Sequence, residues 1–294
     1  MSFNKILVPL DGSEIAEAAL APALAFAEAV SGDVVLLRVV VPLAIKLDPD
    51  LYQSVIDRGQ KVAETYLNSI QTRSLFSSGC LEDDIVVGKA AESIIDYAQE
   101  NEIDLIVMSS HGRSGISRWV YGSVADKVLY HATCATAVIH PQVETIPFTY
   151  KRILVPLDGS PLAECALKPA LKLAQAVSAE LILLRVTFMP LIPPGPVPGW
   201  PGTEVVMNEE EQEAKAYLQR VRDSLPDAPI QLHVHISTNS VAEGIVDMAD
   251  ELQVDLIVMS SHGRSGISRW VFGSETEKTL RGAHCTTLVI RQQA

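Results

Sequence analysis

Short apolar runs alternate with longer amphipathic stretches along the whole chain. In the first half, five runs are apolar at most positions and rich in β-branched residues: KILVPL, DVVLLRVV, DIVV, DLIVMS and ATAVIH. Strands of this kind are buried on both faces, which is typical of a parallel sheet between helices. The intervening stretches have helical length and periodicity, and they predict helices over Ser13–Val30, Asp50–Ser74, Ala90–Glu100 and Ser123–Tyr130.

The second half repeats this pattern with RILVPL, ELILLRVT, IQLHVHI, DLIVMS and TTLVI. ILVPLDGS occurs at 6–13 and again at 153–160, and the 17 residues 104–120 recur unchanged at 255–271. A period near 150 residues is too long for a solenoid repeat and indicates a duplicated domain. We therefore predict an α/β fold of two tandem doubly wound domains, each an open five-stranded parallel sheet with helices on both faces. The domains are expected at 1–143 and 150–294, with a linker at about 141–150.

The first helix of each half contains a proline at the same place, Pro22 and Pro169. An interior proline removes a backbone hydrogen bond and clashes with the preceding turn. A kink is therefore expected in both helices.

The charge balance excludes several classes of partner. The net charge is −13, and each half is acidic, with 10 basic against 19 acidic residues in 1–147 and 13 against 17 in 148–294. Neither half offers the basic face that nucleic acids or anionic membranes require. No apolar run approaches the roughly 20 residues of a membrane span. Because the amino terminus enters a strand pattern at once, we expect no signal peptide and a cytoplasmic protein.

The four cysteines, Cys80, Cys134, Cys165 and Cys285, show no Cys-x-x-Cys spacing. Zinc knuckles and thioredoxin-like chemistry are therefore unsupported. Cys134 and Cys285 occupy matching places in the two halves, each just before an apolar run, and are expected to be small buried residues.

In an open α/β sheet, ligands bind at the carboxyl ends of the strands where the strand order reverses. The loops after strands one and four lie there, and in them the two halves agree best. After strand one come Asp11-Gly12-Ser13 and Asp158-Gly159-Ser160. The carboxylate could accept hydrogen bonds from ribose hydroxyls or an adenine amine. Alternatively, the aspartate sits in a tight turn and the serine caps the next helix.

The loop after strand four runs from Ser109 through His111, Gly112 and Arg113 to Gly122-Ser123, where a helix begins. Glycines let a backbone approach an anion closely, and the free N–H groups of a helix start attract phosphate. Ser123 with Asp126, and Ser274 with Glu277, also fit capping boxes. Arg113 could either contact phosphates or be solvated, and His111 lacks a second ligand at metal spacing.

Other nucleotide and catalytic motifs are absent from the sequence. There is no G-x-x-x-x-G-K-[ST] and no G-x-G-x-x-G. GRSGI lacks the second glycine of a G-x-S-x-G nucleophile elbow, so hydrolase chemistry is unsupported. The loop after strand one, PLDGS, also lacks the SGGxDS motif of ATP pyrophosphatases.

On these residues the chain resembles the universal stress protein family over essentially its full length, one family domain per half. ATP-binding members of that family carry an aspartate after strand one and G-x-x-G-(nine residues)-G-[ST] after strand four. Gly112 with Gly122-Ser123, and Gly263 with Gly273-Ser274, match the second and third elements. Ser109 and Ser260 stand in place of the first glycine, where a serine can still offer its backbone N–H.

The resemblance implies ATP as the ligand, with Mg²⁺ or Mn²⁺ at the phosphates. It also implies that Val39 and Val186 meet adenine through backbone groups and that Met108 and Met259 lie near the base or ribose. The expected nucleotide-binding residues are Pro9, Asp11, Val39, Met108, Ser109, His111, Gly112, Arg113, Gly122, Ser123, Val124, Pro156, Asp158, Val186, Met259, Ser260, His262, Gly263, Arg264, Gly273 and Ser274.

The function expected from these features is that of an adenine-nucleotide-binding stress-response protein without committed catalysis. Two alternatives stay open: an interaction scaffold that binds no nucleotide, and a slow ATPase. The family implies paired domains, and we expect the halves to pack as a pseudo-symmetric pair through Ala135–His140 and Thr286–Arg291. Further homodimerisation is left open.

The two sites are expected to be unequal. Gly122-Ser123 is followed by Val124, whereas Gly273-Ser274 is followed by Glu275. Two like charges about 6 Å apart repel by roughly 3 kcal/mol at an effective dielectric near 20, so Glu275 would disfavour a triphosphate. This effect is lost if the carboxylate points to solvent, and it reverses if a divalent cation bridges it to phosphate.

Overall fold

A computed structural model of the chain describes residues 3–42, 48–73, 79–110, 122–140, 149–188, 203–226, 228–237, 239–261 and 272–291. The chain folds into two compact units. Unit one comprises residues 1–149 together with 288–294, and unit two comprises residues 150–287. None of the helices in these described ranges is both long and apolar enough to cross a membrane.

The first half of the chain alternates strands and helices. The strands are β1 (Lys5–Pro9), β2 (Asp33–Val40), β3 (Leu81–Val87), β4 (Leu105–Ser109) and β5 (Ala135–Ile139). The helices are α1 (Glu14–Glu17), α2 (Leu20–Val30), α3 (Pro49–Arg73), α4 (Ala90–Glu100) and α5 (Ser123–His131).

The second half repeats the same order. Its strands are β6 (Arg152–Pro156), β7 (Glu180–Phe188), β8 (Ile230–Ser237), β9 (Leu256–Ser260) and β10 (Thr286–Ile290). Its helices are α6 (Pro161–Glu164), α7 (Leu167–Val177), α8 (Thr203–Ser224), α9 (Val241–Glu251) and α10 (Ser274–Gly282).

The strand order creates a switch point in each sheet. In the first half the order is β3-β2-β1-β4-β5, and each neighbouring pair is parallel. In the second half the order β8-β7-β6-β9 follows the same plan, again with parallel pairs. The chain moves outward from β1 through β2 to β3 and then returns to place β4 on the other side of β1. Switch points of this kind form ligand crevices in open α/β sheets, here past the ends of β1 and β4 and likewise past those of β6 and β9.

Burial follows the apolar pattern of the strands. Every residue of β4 and β5 is buried, as expected for strands covered on both faces. β3 is different, because its acidic residues are exposed and it ends the strand order of its sheet. In unit two, side chains of β6, β7 and β9 pack against α9 in a cluster that includes Leu154, Ile245 and Met248. The predicted doubly wound α/β fold is confirmed.

The first predicted helix of each half is divided in two rather than kinked. α1 ends at Glu17 and α2 begins at Leu20, so Pro22 lies in the first turn of α2. A first-turn residue needs no N–H for the helix ladder, which removes the penalty for proline. Pro169 has the same place in α7, which begins at Leu167. The expected kink is therefore wrong, because the prolines mark helix starts and not helix interiors.

Candidate functional site

The turn after β1 fixes an aspartate at the carboxyl end of the sheet. Asp11 Oδ1 accepts hydrogen bonds from Ser13 N at 2.9 Å and from Ser13 Oγ at 2.5 Å. Ser13 Oγ accepts from Ala16 N at 3.1 Å and so caps α1. Gly12 has a φ of 82°, a left-handed conformation that costs glycine little. The interpretation as a tight turn with a capping serine is confirmed.

Unit two builds the same turn with nearly the same distances. Asp158 Oδ1 accepts from Ser160 N at 2.9 Å and from Ser160 Oγ at 2.6 Å. Ser160 Oγ accepts from Ala163 N at 3.1 Å, and Gly159 has a φ of 85°. One carboxylate oxygen is thus held against the turn in each copy, which fixes the direction of the side chain.

Backbone groups of the second strand extend past the end of the first. Leu10 N donates to Leu37 O at 2.8 Å, so Leu37 directs its carbonyl towards β1. A strand directs the backbone groups of alternate residues to the same neighbour. Val39 N and O therefore face the space past the end of β1. The bond from Leu157 N to Leu184 O, also 2.8 Å, places Val186 in the same way in unit two.

A polar network beside this turn was not predicted from the sequence. Arg38 Nη1 donates to Leu10 O at 3.0 Å, next to Asp11, and the guanidinium lies 5.9 Å from the ring centre of Tyr66. Tyr66 Oη donates to Glu17 Oε1 at 3.1 Å. The network joins β2, α3 and α1 around the turn that carries Asp11.

The network recurs in unit two. Arg185 Nη1 donates to Leu157 O at 3.1 Å and lies 5.7 Å from the ring centre of Tyr217, whose Oη donates to Glu164 Oε1 at 2.8 Å. Burial, followed by the neighbouring glutamate, raises the pKa of Tyr66, and burial followed by Glu164 raises that of Tyr217. Both phenols therefore remain donors at neutral pH. Identical residues at matching positions of two halves are the sequence signal that could have revealed this network.

Backbone hydrogen bonds join the residues that flank the loop after the fourth strand. Gly122 N donates to Ser110 O at 3.0 Å, and Ser110 N donates to Ile139 O at 2.9 Å. In unit two, Gly273 N donates to Ser261 O at 2.9 Å. The end of β4 and the start of α5 are thus adjacent, as are those of β9 and α10. The predicted loop residues His111, Gly112, Arg113, His262, Gly263 and Arg264 lie outside the described residues.

Each of these helices begins on a glycine. Gly122, with φ −60° and ψ 143°, is the N-cap of α5, and Gly273, with φ −61° and ψ 136°, is the N-cap of α10. Ser123 and Ser274 are the first helical residues, so the predicted capping boxes are wrong. A glycine cap supplies no side chain to the N–H groups of the first turn. Such a helix start favours an anion.

In unit two these parts surround one cavity of about 850 Å³, within the range of small-molecule sites. Its lining includes seven predicted site residues, which are Pro156, Asp158, Val186, Met259, Ser260, Gly273 and Ser274. Tyr217 and Arg185 of the network also line it. In unit one, Pro9, Asp11, Val39, Met108, Ser109, Gly122, Ser123 and Val124 occupy the matching strand ends, turn and helix start.

The carboxylate of Glu275 is held by two hydrogen bonds at the wall of the cavity. Its Oε2 accepts from Ala242 N at 2.9 Å, in the first turn of α9, and its Oε1 accepts from Lys278 Nζ at 3.0 Å. The carboxylate thus caps a neighbouring helix while its side chain forms part of the cavity wall. Val124, at the matching position, carries no charge.

The structure defines a duplicated, doubly wound α/β domain with a ligand-sized crevice at its switch point. The sequence profile of the universal stress protein family matches residues 2–140 and again 149–291. The chain belongs to the universal stress protein family, as a member with two tandem domains.

Individual relatives agree with this assignment. A universal stress protein of Methanocaldococcus jannaschii is 31% identical over 144 residues, covering 49% of this chain and 83% of that protein. One from Mycobacterium tuberculosis is 25% identical over 297 residues, covering 98% of this chain and 96% of that protein. The crystal structure of a universal stress protein from Archaeoglobus fulgidus matches the fold with a TM-score of 0.68 at 22% identity, covering 99% of this chain and 97% of the other.

Proposed function

We propose that the protein binds adenine nucleotides, with ATP as the ligand of the first crevice, and serves as a stress-response module without committed catalysis. One observation carries the proposal. In each half, a fixed carboxylate, a pair of backbone groups and a glycine-capped helix start converge at the switch point. These three parts match the three chemical portions of a nucleotide: sugar, base and phosphate.

Each part has a distinct role in the proposal. The carboxylates of Asp11 and Asp158 would accept hydrogen bonds from ribose hydroxyls. The N–H and C=O of Val39 and Val186 would pair with the polar edge of adenine. The first turns of α5 and α10 would hold the phosphates through N–H groups, since their caps are glycines. Mg²⁺ or Mn²⁺ would reduce the phosphate charge in an otherwise acidic protein.

Replacing Gly122 with valine tests the proposal for the first crevice. Gly122 has β-region dihedral angles that valine adopts without strain, so the domain should fold. Its side chain would occupy the space in front of the helix start, and we expect loss of ATP binding by isothermal titration calorimetry. Gly273→Val is the matched control, because it should leave the first crevice intact.

Identification of the natural ligand gives an independent check. The purified protein is denatured, and any released small molecule is identified by mass spectrometry. An adenine nucleotide is the expected result. If Gly122→Val binds ATP as tightly as the parent does, the first crevice is not the site, and a scaffold that binds no nucleotide becomes the better proposal.

A further inference from the structure

Three glutamates set the second crevice apart from the first. Glu210 and Glu213 of α8 and Glu275 of α10 all line the cavity of unit two. Their counterparts in the first half can be found because the network residues fix the register of the helices. Tyr217 donates a hydrogen bond to Glu164 just as Tyr66 donates one to Glu17, so Tyr217 and Tyr66 are equivalent positions.

This register pairs Glu210 with Gly59 and Glu213 with Val62, both uncharged. The geometry at Gly59 supports the pairing. A Cβ added to Gly59 would lie 2.8 Å from Val40 Cγ1, so this position faces the end of β2. Thr187, which matches Val40 in β7, lines the second cavity with Glu210. The same helix position therefore faces the end of the second strand in each copy.

Glu275 pairs with Val124, the second residue of a helix whose N-cap has nearly the same dihedral angles. The carboxylate of Glu275 already accepts a hydrogen bond from Ala242 N in the first turn of α9. An internal anion therefore occupies the start of α9, and its side chain lines the same cavity as the start of α10. Lys278 offsets part of the charge, but its side chain is 57% exposed, and water screens the pair.

The two crevices consequently differ in charge. The described lining of the second holds four carboxylates, including Asp158, and two guanidinium groups, Arg185 and Arg220, which leaves a formal charge of −2. The matching positions of the first half hold one carboxylate, Asp11, and one guanidinium, Arg38, which cancel. The sequence of 104–120 is repeated at 255–271, so the charged residues of that loop are the same in both halves.

The aspartate turn and the second-strand backbone, which would hold the nucleoside, recur in both halves. Building on the proposed function, we infer that the second crevice selects an adenine nucleoside without phosphates, while the first accepts the triphosphate. Glu275 is the main determinant of this preference, because it belongs to the first turn of α10, which phosphates would use, and its side chain lines the cavity. Glu210 and Glu213 of α8 add to the negative charge of the same cavity.

Calorimetry with adenosine and ATP in metal-free buffer tests the inference. A divalent cation is left out because it would mask repulsion between carboxylate and phosphate. The full chain carrying Asp11→Ala together with Gly122→Val reports on the second crevice, because the ribose part and the phosphate part of the first crevice are then both altered. We expect it to bind adenosine at least about tenfold more tightly than ATP. The triple variant Glu210→Gln/Glu213→Gln/Glu275→Gln in that background should remove the preference by raising the affinity for ATP.

Two further variants separate charge from structure. Glu275→Gln alone keeps the size of the side chain and an oxygen that can accept from Ala242 N, so a gain in ATP affinity reports the charge. The reciprocal change, Val62→Glu/Val124→Glu in a Gly273→Val background, should weaken ATP binding by the first crevice about tenfold. Circular dichroism checks that each variant is folded.

The inference is overturned if the Asp11→Ala/Gly122→Val protein binds ATP as tightly as adenosine, if it binds no adenosine, or if the glutamine variants keep the preference. Failure of the proposed function is a different result. It would appear as absence of ATP binding by the Gly273→Val protein, in which the first crevice is unaltered.

Discussion

At the scale of single residues, the Arg–Tyr–Glu network is the feature that the two halves share most completely outside the repeated motifs. Arg38 supports the carbonyl of Leu10, the residue before Asp11, and Tyr66 ties the same region to α1 through Glu17. The network therefore connects the residue before the aspartate turn to β2, α3 and α1. Its residues are separated by more than 20 positions along the chain, which explains why local motifs did not reveal them.

Tyr66→Phe and Tyr217→Phe should each lower the free energy of unfolding by about 1 kcal/mol, because a glutamate loses a partly buried hydrogen-bond donor. The pH dependence follows from the raised pKa values of both phenols. The unfolded phenols ionise near pH 10, before the folded ones do, so this stabilisation is complete below pH 10 and is lost as the pH rises above it. Urea titrations from pH 8 to 11 measure how steeply the free energy of unfolding falls with pH. The fall should be shallower in the variant that carries both Tyr66→Phe and Tyr217→Phe. An equal slope in parent and variant would contradict the assignment.

The cysteines also behave as their surroundings dictate. Cys134 is buried, as predicted, and burial raises the pKa of its thiol to about 11. Cys285 keeps some exposed surface, but the surrounding protein removes water from its thiol and again raises its pKa, to about 12. Both thiols are therefore protonated and unreactive at neutral pH.

At the scale of elements, the strands were predicted within a few residues because continuous β-branched runs have a single structural interpretation. Helix starts were harder to predict. The segment Ser13–Val30 has no polar interruption at the break between α1 and α2, and only Pro22 marks it. At α5 a serine next to a glycine fits an N-cap equally well at either residue, and the glycine takes that position.

Helix α2 ends on Ser31 with a φ of 54°, and α7 ends on Ser178 with a φ of 57°. Left-handed dihedral angles of this kind cost a non-glycine residue roughly 1–2 kcal/mol. Ser31→Gly and Ser178→Gly should therefore each raise the free energy of unfolding by about 0.5–1 kcal/mol, after the larger chain entropy of glycine is subtracted.

Alanine at the same two positions is the matched control. It keeps the left-handed strain and should leave the free energy of unfolding close to that of the parent. Denaturant titration compares the three proteins. Glycine and alanine variants of equal stability would show that the helix ends can relax without cost.

At the scale of the whole molecule, the internal repeat made the fold predictable, because two copies of one pattern support each interpretation twice. The candidate site was predictable where it depends on strand ends and helix starts. Its outer wall was not, since α8 carries many exposed charges and the sequence alone does not show which of them face a crevice. Glu210 and Glu213 can be recognised as lining residues only when the contact of Tyr217 with Glu164 has fixed the register of that helix.

Pairing of the two halves through their last strands stays a prediction. All five residues of β5 and all five of β10 are buried. Expressed separately, residues 1–143 and 150–294 should each self-associate, and they should combine when mixed, because strands of that apolarity do not remain at an open edge. Sedimentation equilibrium measures both processes. Halves that stay monomeric and soluble at high concentration would show that the edges need no partner.

The three acidic residues that distinguish the second crevice are also a small difference in genetic terms. Glycine and glutamate codons of the forms GGR and GAR differ only in the middle base, and so do the valine and glutamate codons GTR and GAR. The exchanges between Gly59 and Glu210, Val62 and Glu213, and Val124 and Glu275 can therefore each arise by one point mutation. The inferred difference in ligand preference would therefore require only three such steps after the duplication.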